Sequence, residues 1–245
     1  MKTNLTFLFM CFALCSSFGQ SRNSFDIIVG VDRTFRNINA TEDSDLSVLL
    51  LSASDKEEAK LNWRCGVNYN KSMTENSYLK FGVRLSSIGY QVEDTSDLRF
   101  GSQHDGEGGF DPDLNGDFSD LSFNVDYLFI ELPVSVGLIK SVNKFSFYGE
   151  AGLSPNIYLT SRTKQVSDDE KDSNFQNNPN TRTLHLSGVL NAGVAYQVND
   201  SFSIFGQPSF RYHLTTLGKE SIIKEHLYSY GIEFGVRKNI GAKKN

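Results

Sequence analysis

The sequence has few cysteines and, beyond its N-terminus, no long apolar run. Three of the 245 residues are cysteine, and two of these, Cys11 and Cys15, lie in the apolar N-terminal stretch. If that stretch is removed, Cys65 is left alone and no intramolecular disulfide can form. No later segment contains the roughly 20 consecutive apolar residues that a transmembrane helix needs. A basic patch interleaved with aromatic residues is also missing, which argues against nucleic-acid binding.

The N-terminus has the parts of a secretory signal peptide. Lys2 supplies a positive charge, residues 5–14 form an apolar run, and Ser17 and Gly19 are the small residues of a cleavage site. We therefore expect residues 1–19 to be a signal peptide and residues 20–245 to form one exported domain.

The rest of the chain alternates apolar and polar side chains in eight stretches between residues 25 and 238. In the second stretch Leu61, Trp63, Cys65 and Val67 alternate with polar residues and glycine. Successive side chains of a strand point to opposite faces, so each stretch predicts a strand with one apolar and one polar face. The gaps between stretches are alternately short and long, as in transmembrane barrels. The pattern predicts an all-β, antiparallel, up-and-down transmembrane β-barrel of eight strands with a closed polar lumen.

Two strands should be irregular, and one long connection leaves the strand count open. The predicted strands span residues 25–36, 60–70, 77–90, 123–139, 145–160, 183–198, 202–216 and 227–238. The alternation slips at Ser86 and Ser87, which predicts a β-bulge. Pro133 cannot donate a ladder hydrogen bond and predicts a break. An apolar run at residues 46–51 leaves ten strands as an alternative.

Charged residues occupy positions that face the predicted lumen. They are Lys60, Arg64, Lys80, Arg84, Glu131, Glu150, Arg211, Glu233 and Arg237. An eight-stranded barrel is narrow enough for side chains to fill, and buried charges must be paired. We therefore expect a salt-bridged polar plug rather than an open pore. A proton or ion path through the same charges is the alternative.

One long connection, residues 93–122, contains a partial calcium motif. Asp111, Asp113, Asn115 and Asp117 stand at the spacing of the first oxygen ligands of a calcium loop, with glycine at the sixth position. The twelfth position is Ser122 where the motif needs glutamate. Ca²⁺ is thus the only cofactor that the sequence suggests. Roughly two-thirds of the acidic residues lie in the long connections.

A possible catalytic pair lies on the sixth predicted strand. His185 and Ser187 have the spacing of the histidine–serine pair of lipid A deacylases, which are also small outer-membrane barrels. The alternation points both residues into the lumen and shows no acidic partner on the next strand. Because nucleophile, base and orienting group must lie within mutual reach, we do not expect an enzyme.

The strand order and two segments resemble the PorT-like outer-membrane β-barrel family of Bacteroidetes-type bacteria. The segments are residues 127–134 (YLFIELPV), close to the family's proline-containing fourth strand, and residues 230–237 (YGIEFGVR), close to its glycine-spaced last strand. The resemblance implies an outer-membrane location and a β-barrel architecture, and the family's named member serves protein secretion. From the strand pattern and this resemblance together we expect a monomer in the outer membrane of a Gram-negative bacterium, in contact with outer-membrane lipid. We expect it to have a structural or interaction role, with envelope or secretion proteins as partners.

Overall fold

The computed structural model describes residues 23–40, 57–92, 122–166, 171–176, 181–218 and 223–240. These residues form antiparallel strands. The strands are β1 (Asn23–Ala40), β2 (Glu57–Glu58), β3 (Lys60–Ser72), β4 (Ser77–Val92), β5 (Ser122–Glu131), β6 (Val134–Val142), β7 (Phe145–Val166), β8 (Lys171–Gln176), β9 (Leu184–Gln197), β10 (Phe202–His213) and β11 (Ile223–Ile240). Within the described ranges no helix is long and apolar enough to cross a membrane.

The sheet closes into a ring of eight strands. β1 pairs with β3 on one side and with β11 on the other. The ring runs β1, β3, β4, β5 with β6, β7, β9, β10, β11 and back to β1. The β1–β11 ladder joins the two ends of the barrel sequence, from Asn23 opposite Ile240 to Ala40 opposite Ile223. The predicted antiparallel, up-and-down barrel of eight strands is confirmed.

β5 and β6 are two parts of one wall strand that Pro133 interrupts. The register is the same on both sides of the break, because Glu131 pairs with Arg84 and Val134 pairs with Phe81. The proline carbonyl still accepts a hydrogen bond from the Gly82 backbone nitrogen at 3.0 Å. The predicted break is therefore confirmed, and it costs local hydrogen bonds without shifting the strand.

The prediction of a β-bulge in β4 at Ser86 and Ser87 is wrong. The β4–β5 register runs without a shift from Arg84 to Val92. On the other side, the β3–β4 ladder stops at Arg64 opposite Ser86, and β2 resumes pairing at Glu58 opposite Gln91. Residues 59–63 thus face the shorter stretch 87–90, so the extra residue lies among residues 59–63, at the start of β3. The apolar–polar alternation of the sequence is interrupted here because Ile88, an apolar residue, occupies an inward position of β4.

The two ends of the barrel carry different connections. At one end, which we call the short-turn end, β3 and β4, β6 and β7, and β9 and β10 are joined directly. Asn143 in the β6–β7 turn has a φ of 55°, which fits a two-residue hairpin that needs the left-handed region. At the other end, the long-connection end, β7 and β8 extend the wall. The run at residues 46–51 lies outside the described residues.

The barrel has an apolar outside and a layered inside. Among the described residues, 31 large apolar side chains are at least 37% exposed, and most of them lie on the outward face of the wall strands. The interior holds two apolar clusters at different heights. The upper cluster, towards the long-connection end, is Ile88, Phe129, Tyr158, Leu217 and Leu227. The lower cluster, towards the short-turn end, is Ile28, Tyr148, Ala195 and Phe205.

Candidate functional site

The most unusual chemistry of the described chain is the set of charges inside the barrel. Ten charged side chains are almost completely buried there, five cationic and five anionic. They are Arg64, Lys80, Arg84, Arg211 and Arg237 with Asp26, Asp32, Glu131, Glu150 and Glu233. Burying charge is tolerated when each ion is paired and hydrogen-bonded. The formal charges of these ten side chains sum to zero.

Glu233 on β11 is the centre of the largest group. Its Oε1 accepts hydrogen bonds from Arg64 at 2.8 Å and from Arg84 and Arg211 at 3.1 Å each. Its Oε2 accepts another from the Gln207 amide at 2.6 Å. The glutamate thus joins strands β3, β4 and β10 to β11 through a single carboxylate.

Two more carboxylates balance the three arginines around Glu233. Asp32 on β1 pairs with Arg64, and Glu131 on β5 pairs with Arg211. The group therefore contains three guanidinium and three carboxylate groups, and its net charge is zero. We call these six side chains the central charge layer.

A second pair lies nearer the short-turn end. Lys80 on β4 pairs with Glu150 on β7. The same carboxylate accepts hydrogen bonds from the Tyr78 hydroxyl at 2.5 Å and the Asn191 amide at 3.0 Å. Together with Lys80, these two neutral donors supply the hydrogen bonds that the buried carboxylate of Glu150 needs.

A third pair connects the first and last strands of the barrel. Arg237 donates hydrogen bonds from Nε and Nη2 to the two oxygens of Asp26 at 2.8 and 3.0 Å. Its guanidinium carbon lies 5.3 Å from the ring centre of Phe205 and 5.5 Å from that of Tyr148. The arginine thus combines a two-point ion pair with packing on aromatic rings.

Lys60 lies apart from the other predicted lumen charges. Its ammonium is 2.7 Å from Asp126 at the long-connection end, where both side chains are partly exposed. Eight of the nine predicted lumen residues are therefore deeply buried, and Lys60 belongs to the rim.

Asp26 and Asp32 are not among the predicted lumen charges, although the alternation of β1 points both inward. The apolar interior residues Ile28, Phe205 and Leu227, which are at most 4% exposed, are not predicted either. Their positions could have been predicted from the alternation, because each of these residues occupies an inward-facing position of its strand.

His185 and Ser187 both face the lumen, at 1% exposure. His185 Nε2 lies 2.7 Å from the Arg182 carbonyl oxygen, and Ser187 Oγ lies 2.6 Å from the side-chain amide of Asn156. The nearby His213 ring is 6.4 Å from that of His185. The serine hydroxyl is therefore occupied by an amide, and the histidine by a backbone carbonyl.

The predicted calcium ligands Asp111, Asp113, Asn115 and Asp117 lie outside the described residues, so calcium binding stays a prediction. In the part of the chain that the structure describes, no group of three histidine, cysteine or acidic side chains could hold a metal ion.

No family model matches the chain, and no curated protein matches it by sequence. Several solved structures are similar to it at low identity. Neisserial surface protein A is 11% identical, with 88% of this chain and 97% of that one covered and a TM-score of 0.43. OprG from Pseudomonas aeruginosa is 12% identical, with 91% and 98% covered and a TM-score of 0.41. The outer-membrane protease OmpT from Escherichia coli is 9% identical, with 92% and 100% covered and a TM-score of 0.46.

Proposed function

We propose that this protein is an outer-membrane β-barrel, closed to diffusion, with a structural or interaction role carried by its long connections. The observation that supports this best is the inverted layering of the barrel. Apolar side chains cover its outside, while paired charges fill its inside. Soluble monomers rarely expose apolar patches larger than a few hundred Å². A lipid bilayer is the environment that suits this apolar outer surface.

The height of the apolar surface supports a membrane setting. On β11 the outward side chains are aromatic or aliphatic from Tyr228 to Val236, and the next outward residue is Lys238. At about 3.3 Å per residue and a tilt of about 40°, this stretch spans about 20 Å along the barrel axis. Barrels of bacterial outer membranes have apolar bands about 25 Å tall.

The layered interior argues against a diffusion pore. The central charge layer lies between the two apolar clusters, and Phe129 and Leu227 in the upper cluster have no exposed surface. A hydrated ion would have to displace both the packed side chains and the paired charges. We therefore propose that the barrel carries no steady current.

The long connections carry the charge that a partner would meet. Residues 37–58, 93–122, 161–182 and 218–226 contain 21 acidic and eight basic side chains. Bacterial barrels place long loops outside the cell and short turns in the periplasm. In that orientation the protein presents an acidic outer surface. Binding of an envelope protein, or assistance to protein secretion as the family resemblance implies, would use this surface.

Cell fractionation with a heat-modifiability gel tests the membrane proposal. We expect the protein in the outer-membrane fraction, with different mobilities for boiled and unboiled samples because a closed barrel resists detergent. Recovery as a soluble protein without a mobility shift would contradict the proposal. Planar-bilayer recordings test the closed lumen separately, and stable single channels would contradict it.

A further inference from the structure

An unpaired cation lies on the apolar outside of the barrel. Arg33 on β1 is exposed and points outward, since its chain neighbours Asp32 and Thr34 are buried in the lumen. In the described part of the chain, its guanidinium makes no ion pair, hydrogen bond or ring contact. The charge of Arg33 therefore has no counter-ion among these residues.

Arg33 lies within the apolar outer surface rather than beyond its edge. It pairs with Tyr230 on β11, and the next outward position towards the long-connection end holds Phe35 opposite Tyr228. At about 3.3 Å per residue and a tilt of about 40°, Arg33 lies about 5 Å below that pair along the barrel axis. A charge on the lipid-facing side of a barrel becomes more costly with depth, so the guanidinium needs an anionic partner.

The outward residues around Arg33 are apolar or tyrosine. On β1 and its two neighbouring strands they are Val31, Phe35, Leu61, Trp63, Tyr228, Tyr230 and Ile232. None of them is acidic, so none can neutralise the guanidinium. The ammonium of a zwitterionic lipid head group would also find no carboxylate here. A lipid of net negative charge therefore fits this surface better than a zwitterionic lipid.

Two tyrosines beside Arg33 have free hydrogen-bond donors. The ring of Phe35 stacks with those of Tyr228 and Tyr230, at 5.2 and 5.3 Å between ring centres. Tyr230 is 51% exposed, and neither hydroxyl has a hydrogen-bond partner among the described residues. Tyrosines at membrane interfaces keep the ring in lipid and the hydroxyl at the head groups. A lipid phosphate next to Arg33 can accept hydrogen bonds from these hydroxyls.

We propose that Arg33, Tyr228 and Tyr230 bind the phosphate of an anionic membrane lipid. The planar guanidinium of arginine suits phosphate oxygens because it offers two parallel donors. On the other side of Arg33, towards the short-turn end, Val31 and Trp63 form an exposed apolar surface on which an acyl chain of the same lipid packs. The inference rests on the membrane location proposed above, and in the orientation proposed there the lipid belongs to the outer leaflet.

Trp63 can report on the lipid at this site, because the chain contains no other tryptophan. It pairs with Val31, the next outward residue of β1 after Arg33. Lipids with brominated acyl chains quench tryptophan fluorescence on contact. The experiment therefore places the mature protein in phosphatidylcholine bilayers that contain increasing fractions of a brominated lipid. One series uses brominated phosphatidylglycerol, which is anionic, and the other uses brominated phosphatidylcholine, which is zwitterionic.

We expect phosphatidylglycerol to occupy the site about three- to tenfold more strongly than phosphatidylcholine, as a single basic side chain near anionic lipid allows. Arg33→Gln should reduce this preference to about one, because it removes the charge. Arg33→Lys should keep part of the preference, since lysine retains the charge without the planar fork. Tyr230→Phe should lower the preference about two- to threefold, because it removes one hydrogen bond to the phosphate.

Lys238→Gln is the matched control, because Lys238 is an exposed cation near the short-turn end of β11. This variant should show the same lipid preference at Trp63 as the parent protein. Equal quenching by the two brominated lipids would overturn the proposal, as would a preference that Arg33→Gln leaves unchanged. In both cases the membrane location would stand. If neither lipid quenches Trp63, the membrane location is wrong and this inference fails with it.

Discussion

The central charge layer and the upper apolar cluster fill neighbouring sections of one lumen by opposite means. In the upper cluster, apolar side chains such as Phe129 and Leu227 exclude water by packing. In the central layer, three arginines and three carboxylates exclude it only because each charge has a partner. Packing tolerates many arrangements of similar volume, whereas the charge layer requires particular strands to be neighbours.

The central charge layer and the upper apolar cluster contribute differently to the fold. Replacing a buried ion pair with apolar residues of similar volume is often neutral or stabilising, but removing one partner is costly. Glu233 lies on the last strand, and its arginine partners lie on β3, β4 and β10. The layer can therefore be complete only when the barrel has closed. We expect it to contribute the specificity of closure, and the apolar cluster to contribute net stability.

The largest expected effect comes from Glu233→Gln. The variant keeps the shape of the side chain but leaves three arginines with two carboxylates. We expect the free energy of unfolding to fall by about 3–5 kcal/mol, as for other buried pairs that lose one partner. Urea unfolding in detergent, followed by the mobility shift on gels, would measure it. The control Glu75→Gln changes an exposed turn residue and should stay within about 0.5 kcal/mol. Equal stability of Glu233→Gln and the parent would show that the layer does not depend on this carboxylate.

Leu227→Ala should have the next largest effect. Leu227 has no exposed surface in the upper cluster, so truncation leaves a cavity and should cost about 2–4 kcal/mol. We expect no steady conductance in planar bilayers, because the central charge layer still fills the lumen. Leu184→Ala is the control, since Leu184 is 63% exposed on the outside of β9. Channels opened by Leu227→Ala would mean that the apolar cluster alone seals the barrel.

A smaller difference in stability is expected between alanine substitutions of two glycines in the barrel wall. A Cβ at Gly193 would lie 2.5 Å from the hydroxyl of Tyr148, whereas a Cβ at Gly149 would meet no atom within 4 Å. Gly193→Ala should therefore displace Tyr148 from the lower cluster and cost about 1–3 kcal/mol. Gly149→Ala should be neutral or stabilise by about 0.5 kcal/mol. Thermal unfolding by circular dichroism would compare them, and equal midpoints would argue against tight packing around Tyr148.

The smallest effect is expected at the rim. The side chains of Lys60 and Asp126 are 17% and 32% exposed, so water and salt screen their attraction. Lys60→Met should lower the free energy of unfolding by less than about 1 kcal/mol, and the difference should shrink at high salt. Urea titrations at low and high salt would measure this. A loss as large as that of Glu233→Gln would place Lys60 in the same network as the central layer.

The alternation of apolar and polar residues predicted the strands and their faces, but it did not predict which side chains meet inside the barrel. The two-residue period of the alternation predicted that neighbouring side chains, such as those of Asp26 and Ile27, lie on opposite faces of the strand, and the structure has them there. The period is a strong constraint because a shift of one residue would move every side chain of the strand to the other face. It could not show that Asp32 pairs with Arg64 or that Asp26 pairs with Arg237. Such partners lie on strands far apart in the sequence. Their contact depends on register and closure, which a single strand does not encode.

The amino-acid sequence predicts the alternating strands, their inner and outer faces and the break at Pro133, because these follow from local chemistry. The ring of eight strands and the position of the extra residue at the start of β3 follow from the folded barrel, since pairing and bulges are defined by two strands together. Closure also gathered Ile88, Phe129 and Leu227 into one cluster and three arginines around Glu233. Each of these side chains is ordinary within its own strand, and its role comes from neighbours that only the closed ring provides.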